Sequence, residues 1–180
     1  TTSLSRRWPD AEITALESDP KRERRLEENL AQRRVGAQVI AEEACAWLRR
    51  EGPPFDLILV DAPCSGSGTL RKHPELNWVG ENLDLPRLVG NQRALLEAAL
   101  ARLAPGGLLV YAVCSWLPEE GAEQGRWFQE RHPELEPAAL WPQALGTGTL
   151  FRPDPLAWPG EGFQAFGFIH PSRASTQEPA

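Results

Sequence analysis

At 180 residues, 41% hydrophobic and 24% charged, the chain has the balance of one globular domain and not that of a disordered segment. A net charge of −6 excludes a protein that grips nucleic acid by a basic surface alone. No apolar run approaches the ~20 residues of a membrane span, and the start shows no signal-peptide pattern, so a cytoplasmic protein is expected.

The chain opens on a helix-like stretch, residues 1–8, without a cap. A short strand is expected at 12–16, ending at Glu17. Asp19 followed by Pro20 is a helix start, and residues 21–34 carry Leu26 and Leu30 on one face; the arginines between them read as a solvated face. A second short strand is expected at 38–40 and a short helix at 44–50, before Gly52-Pro53-Pro54 breaks the chain. Residues 55–60 (FDLILV) read as a strand buried on both faces. An irregular stretch, 62–84, follows. Leu88, Gln92, Leu95, Leu96, Ala99 and Leu103 recur at helical spacing over 85–103, which stops at Pro105-Gly106-Gly107. Residues 108–113 (LLVYAV) form another strand, Pro118 starts a helix to about 131, and a last strand is expected at 163–169. Strands alternating with helices predict an α/β fold with a largely parallel sheet in one domain, 1–170, and a flexible tail, 171–180.

Ligands of open parallel sheets bind beyond the carboxyl ends of the strands. There the sequence places Glu17, the pair Glu42 and Glu43, Asp61 with Cys64 just beyond, and Cys114. A single cysteine at a strand end is ordinarily a small core hydrophobe, and a single acid there a helix cap. Cys45, in an alanine-rich helix, reads as core. The three cysteines form no C-x-x-C pair and have no histidine partner nearby, which disfavours a metal site, and an odd count disfavours a disulfide framework. Free thiols are the better reading.

The local sequence is specific. Asp61-Ala62-Pro63-Cys64-Ser65-Gly66-Ser67-Gly68-Thr69 is followed by Arg71-Lys72-His73-Pro74-Glu75-Leu76-Asn77-Trp78. Downstream, Gly106-Gly107-Leu108-Leu109-Val110-Tyr111-Ala112-Val113-Cys114-Ser115 runs into Leu117-Pro118-Glu119-Glu120. These two stretches resemble the fourth and sixth motifs of the Sun (Fmu, or RsmB-type) family of S-adenosylmethionine-dependent RNA cytosine-5 methyltransferases, and the resemblance extends over about residues 1–169. It implies a Rossmann-like methyltransferase fold, S-adenosyl-L-methionine as cofactor, and an RNA substrate, with 16S rRNA favoured over tRNA. It implies Cys114 as nucleophile, Cys64 as the thiol assisting product release, and Asp61 at the cofactor and base. Glu17 takes the place of the acid that binds the ribose hydroxyls, and Glu43 that of the acid near the adenine.

Three departures stand out. Val113 replaces a threonine before the nucleophile, and Glu17 and Glu43 are longer than the usual Asp. The family's glycine-rich loop and first strand find no counterpart, so Thr1-Thr2 reads as the continuation after that loop. With no methionine in the chain, a fragment with an unpaired seam in its sheet is expected.

The expected chemistry accounts for two thiols. A thiolate adding to C6 of cytosine makes C5 nucleophilic, which divides one hard step into easier ones. Arg71 and Lys72 are candidate phosphate contacts, and Trp78 either stacks on an unpaired base or anchors its loop. A rival from another class is a non-catalytic methyltransferase-fold fragment serving as an RNA-binding or assembly module. A thiol hydrolase or redox enzyme is a more distant third.

Overall fold

The structure is a computed structural model, and it describes residues 1–74, 83–140, 149–152 and 161–172. The chain divides into two compact units, Thr1–Glu51 and Gly52–Ala180.

The first unit is small and its elements are short. Helix α1 (Thr2–Arg7) precedes strand β1 (Thr14–Leu16), helix α2 (Pro20–Arg33), strand β2 (Gln38–Ile40) and helix α3 (Ala44–Leu48). Strands β1 and β2 pair in parallel, Thr14 opposite Gln38 and Leu16 opposite Ile40. The Asp19-Pro20 signal works as expected: the Asp19 carboxylate accepts from the amides of Lys21 (2.8 Å) and Arg22 (3.0 Å), and proline occupies the first turn, where no amide is needed. Those amides, Arg22 first, hold the Asp19 carboxyl below its ordinary range. Of α2 only Leu30 is buried, so its charged residues form the solvated face the sequence indicated.

The second unit carries the larger sheet. Strand β3 (Phe55–Asp61) leads to a 3-10 turn (Ser67–Thr69), helix α4 (Leu85–Leu100), strand β4 (Leu103–Val113) and a second 3-10 turn (Pro118–Glu120). Helix α5 (Ala122–Arg131) follows, then strands β5 (Glu136–Pro137), β6 (Leu150–Phe151) and β7 (Gln164–Ile169). The order is β3-β4-β7-β5, with β6 also on β7. Strands β3 and β4 are parallel, Asp61 opposite Ala112; β7 runs antiparallel to β4, and β5 and β6 run antiparallel to β7.

Two boundaries differ from the sequence reading. Helix α4 ends at Leu100, and β4 begins at Leu103, taking in the Pro-Gly-Gly that reads as a stop. The strand survives because its register shifts there: Phe55 faces Leu103, and Leu57 faces Leu108. Gly106 takes a φ of 80°, open to glycine at no steric cost, and its amide reaches the carbonyl of His170 at 2.9 Å.

The core lies between β4, β7, α4 and α5. Leu109, Tyr111 and Val113 of β4, Leu96 and Ala99 of α4, Phe128 of α5, and Phe166 and Phe168 of β7 are all buried. Tyr111 stacks on Phe166 with ring centroids 4.7 Å apart, and Phe128 tilts against Phe168 at 5.5 Å. Alternate residues of a strand share a face, so Leu109, Tyr111 and Val113 form one row and bring the end of β4 to a fixed point. Burial raises the Tyr111 hydroxyl out of its usual titration range, and it donates to the carbonyl of Glu120 at 2.8 Å.

Candidate active site

Adjacent parallel strands end side by side, and β3 and β4 deliver a thiol each. Cys114 follows Val113 directly, and Cys64 sits three residues past Asp61; their Sγ atoms are 3.4 Å apart. The loops carrying them are bonded to one another through main chain: Ala62 N donates to Ala112 O (3.0 Å), and Gly68 N to Cys114 O (3.1 Å).

Two thiols this close do not ionise independently. The hydrogen bond between the two sulfurs is the largest influence lowering Cys114 to about 7; burial opposes it, the residue's own amide assists, and the charges of Asp61 and Glu120 oppose it. Cys64 moves the other way, pushed up first by that same hydrogen bond and then by burial. The shared proton thus favours Cys64, and Cys114 is the thiol that ionises first. Free cysteine titrates near ~8.5, so Cys114 is the more ionised at neutral pH.

Around the pair lies a network of polar side chains that the sequence reading missed. Glu120 is fully buried; it accepts from Ser65 N (2.8 Å), Ser65 Oγ (2.5 Å) and Gln92 Nε2 (3.0 Å). Ser115, also fully buried, bonds through Oγ to the hydroxyls of Ser65 (3.2 Å) and Ser67 (3.0 Å) and accepts from Leu117 N (3.0 Å). Gln164 Nε2 donates to the carbonyls of Ser115 (3.0 Å) and Leu117 (2.9 Å). A buried polar group without a partner costs about 1–3 kcal/mol, so the bonds made by Glu120, Ser65, Ser67 and Ser115 favour one arrangement of the two loops; Gln164 Oε1 alone of the atoms named here is buried without a partner. One signal was legible in advance: Gln92 occupies an apolar position of the α4 repeat, where an amide needs a reason.

The other expected residues fall as follows. Asp61 is the exposed last residue of β3, close enough for its charge to oppose ionisation of Cys114. Arg71 and Lys72 lie exposed in the turn beyond the Cys64 loop, Lys72 paired with Glu161 at 2.7 Å. Trp78 lies outside the described residues. Val113, where a threonine was expected, is fully buried. Among the described residues no group of three His, Cys, Asp or Glu could hold a metal. No helix among them is long and apolar enough to cross a membrane.

Glu17 and Glu43 belong to the first unit. Glu17 directly follows β1 and is half-buried; its Oε1 accepts from Asp19 N at 2.9 Å, and Oε2 has no partner among the described residues. Glu43 is otherwise engaged. It caps α3, accepting from Cys45 N (2.9 Å) and Ala46 N (2.7 Å) with its two oxygens. Partial burial works against its charge, but those amides and Arg49 outweigh it and hold its carboxyl below the usual range. Its neighbour Glu42 is paired with Arg50. Of the two acids expected at a cofactor, Glu17 presents a free carboxylate oxygen and Glu43 does not.

Alternating strands and helices, ligand-capable groups at the strand ends and the β3-β4-β7-β5 order define the class: a Rossmann-like methyltransferase fold, shared with solved structures. A methyltransferase homolog protein from Pyrococcus horikoshii superposes with a TM-score of 0.67 at 27% identity, covering 89% of this chain and 54% of that one. NSun6 from Pyrococcus horikoshii, solved with SFG, gives 0.75 at 27% identity, over 88% of this chain and 41% of that one.

The chain belongs to the 16S rRNA methyltransferase RsmB/F family, whose model matches residues 1–162. Curated relatives agree. The ribosomal RNA small subunit methyltransferase B of Vibrio cholerae is 39% identical over 137 residues, which is 74% of this chain and 31% of that protein. The Pasteurella multocida protein of the same name is 36% identical over 91% of this chain and 38% of its own length. The chain therefore spans about a third of the length of these relatives.

Proposed function

We propose that the chain carries the two-thiol centre of an RNA cytosine-5 methyltransferase, acting on 16S rRNA. The observation that carries the reading is the thiol pair: two cysteines 3.4 Å apart at the ends of adjacent parallel strands, one lowered to about 7 and the other raised. A hydrolase needs one activated thiol. Two thiols in opposite protonation states suit a reaction in which one attacks and the other handles a proton.

The roles follow from that asymmetry. Cys114, as thiolate, adds to C6 of an unstacked cytosine, and the electron pair displaced from the C5–C6 bond makes C5 nucleophilic. When bound, S-adenosyl-L-methionine would supply an electrophilic sulfonium methyl group to C5, the broken C–S pair returning to its sulfur, which leaves as a neutral thioether. Once the Cys114 sulfur is a thioether it no longer draws the Cys64 proton, and the largest influence holding Cys64 protonated is gone. Cys64 then gives its proton to solvent and takes the one on C5; the double bond re-forms, and the C6–S pair returns to Cys114. Asp61, exposed beside the pair, orients the base. Glu17 offers Oε2 to the ribose hydroxyls of the cofactor. Glu43 caps α3 and, with a second acceptor site left on each oxygen, approaches the adenine of the cofactor. Arg71 and Lys72 meet phosphates, Lys72 by exchanging Glu161, and Trp78 stacks on a base. The names of the rRNA methyltransferase relatives support rRNA over tRNA, and a cytoplasmic location follows from that substrate.

The test uses the full-length protein carrying Cys64→Ala, mixed with S-adenosyl-L-methionine and unmodified small-subunit rRNA. A protein–RNA adduct should persist on a denaturing gel and vanish when Cys114 is also replaced by Ala. No adduct on any RNA, with cofactor binding intact, would sink the roles and leave the RNA-binding or assembly module. In the unmodified protein, alkylation of Cys114 should rise with an inflection near pH 7. An inflection near the ~8.5 of free cysteine would count against the thiolate assignment.

A further inference from the structure

Cys114 and Cys64 are held in place by different means. Cys114 directly follows β4, whose parallel ladder with β3 runs to Ala112, two residues before it. Cys64 lies in an irregular loop. Both of its flanking peptide groups are nonetheless gripped, each by a fully buried side chain. The carbonyl before it, Pro63 O, accepts from Gln92 Nε2 at 3.1 Å; the amide after it, Ser65 N, donates to Glu120 Oε1 at 2.8 Å. The two gripping side chains are bonded to one another at 3.0 Å, and Ser65 Oγ donates to the second carboxylate oxygen. Gln92 is oriented in turn, its Oε1 accepting from Gln124 Nε2 at 2.9 Å, while Gln124 Oε1 accepts from Arg93 Nε at 3.1 Å. Arg93 lies over the Trp127 ring at 4.7 Å. The clamp therefore reaches from the thiol to the packing of α4 on α5.

We propose that Gln92 and Glu120 are positioning residues for Cys64, fixing the two peptide planes beside it so that its thiol meets the product-release step. The inference rests on the two-thiol reading above and extends it: loosening the clamp slows release and leaves attack by Cys114 in place. Neither side chain touches the reacting atoms. Their effect is on where Cys64 stands when the Cys114–C6 bond must break.

The experiment compares full-length wild-type protein, Cys64→Ala, Gln92→Met and Ser65→Ala, each with S-adenosyl-L-methionine and small-subunit rRNA. Gln92→Met keeps the volume and removes the donor to Pro63 O. It should accumulate adduct several-fold above wild type, with the initial rate of adduct formation preserved and turnover reduced. Ser65→Ala removes a single donor to Glu120 and should show the same pattern more weakly, which keeps the test alive should the buried Gln92 variant not fold. A second readout needs no RNA: diamide, taking up the two electrons and two protons the thiols surrender, joins Cys64 to Cys114. That coupling should be fast in the wild type and slower in both variants, while alkylation of Cys114 keeps its pH inflection. Folded variants that release product and couple their thiols as the wild type does would overturn the proposal, as would equal losses in adduct formation and turnover. If Cys64→Ala itself yields no adduct, the methyltransferase roles fail, and the coupling rates still decide whether the clamp positions Cys64.

Discussion

Carboxylates in the two units make the same kind of bond over very different distances along the chain. In the first unit Glu17 reaches the amide of Asp19, Asp19 those of Lys21 and Arg22, and Glu43 those of Cys45 and Ala46, never more than three residues away. In the second unit Glu120 reaches Gln92 and Ser65, 28 and 55 residues distant. A short-range bond forms with its own helix end and is complete without the rest of the fold. A long-range bond exists only when the fold is assembled, and so it carries information about the site. An acid just past a strand can therefore serve its own helix end, as Glu43 does, whatever else it binds.

The largest expected effect is at the long-range end. Glu120→Ala leaves Ser65 N without an acceptor and takes one of two partners from Ser65 Oγ and from Gln92 Nε2, and should cost the second unit about 3 kcal/mol by urea denaturation. Next comes Gly162→Ala. A Cβ there would overlap the Trp116 ring and press on Gly68, which should cost about 1–3 kcal/mol and retard thiol coupling by diamide. Glu43→Ala is expected to cost only about 1 kcal/mol, visible as faster hydrogen exchange at Cys45 and Ala46. Because folding depresses the Glu43 pKa, its contribution is present above the ordinary carboxylate value and fades as pH falls through the folded value; the protection factors of those two amides, referred to the intrinsic exchange rate at each pH, should fall on acidification. Smallest is Arg24→Ala, whose partner Glu28 is one turn away on an exposed face: a change under ~0.5 kcal/mol. A Glu43→Ala protein less stable than Glu120→Ala would undo the distinction between the two units.

How much of this was legible in the sequence follows the same division. The Asp19-Pro20 cap, the strand at Phe55–Asp61 and the thiols past the strand ends are local patterns, and they lie where the residues indicate; the strand is not, however, buried on both faces as its apolar run suggests, since among its residues only Val60 is buried and Leu59 is 45% exposed. Glu120 reads from sequence as the first turn of a helix, and it does close a 3-10 turn there. Its carboxylate, however, points into the core toward residues that only the parallel pairing of β3 and β4 brings near. Gln92 hid in an apolar stripe for the same reason, its partners lying on other elements. The Pro-Gly-Gly in β4 misleads because those residues usually stop an element; a neighbouring strand and the Gly106 φ let this one continue.

The contact between Gly68 and Gly162 has a consequence for how the protein is made. Gly162 N donates to Gly68 O at 2.7 Å, and a Cβ on either residue would collide with the other's backbone. The turn that follows Cys64 is thus closed by residues that leave the ribosome long after it. During synthesis, β3, α4 and β4 can assemble first, while the turn beyond Cys64 waits for the approach to β7. A nascent chain halted before residue 162 should hold Cys114 at the end of its strand and still lack its finished partner loop, so the thiol pair is completed last.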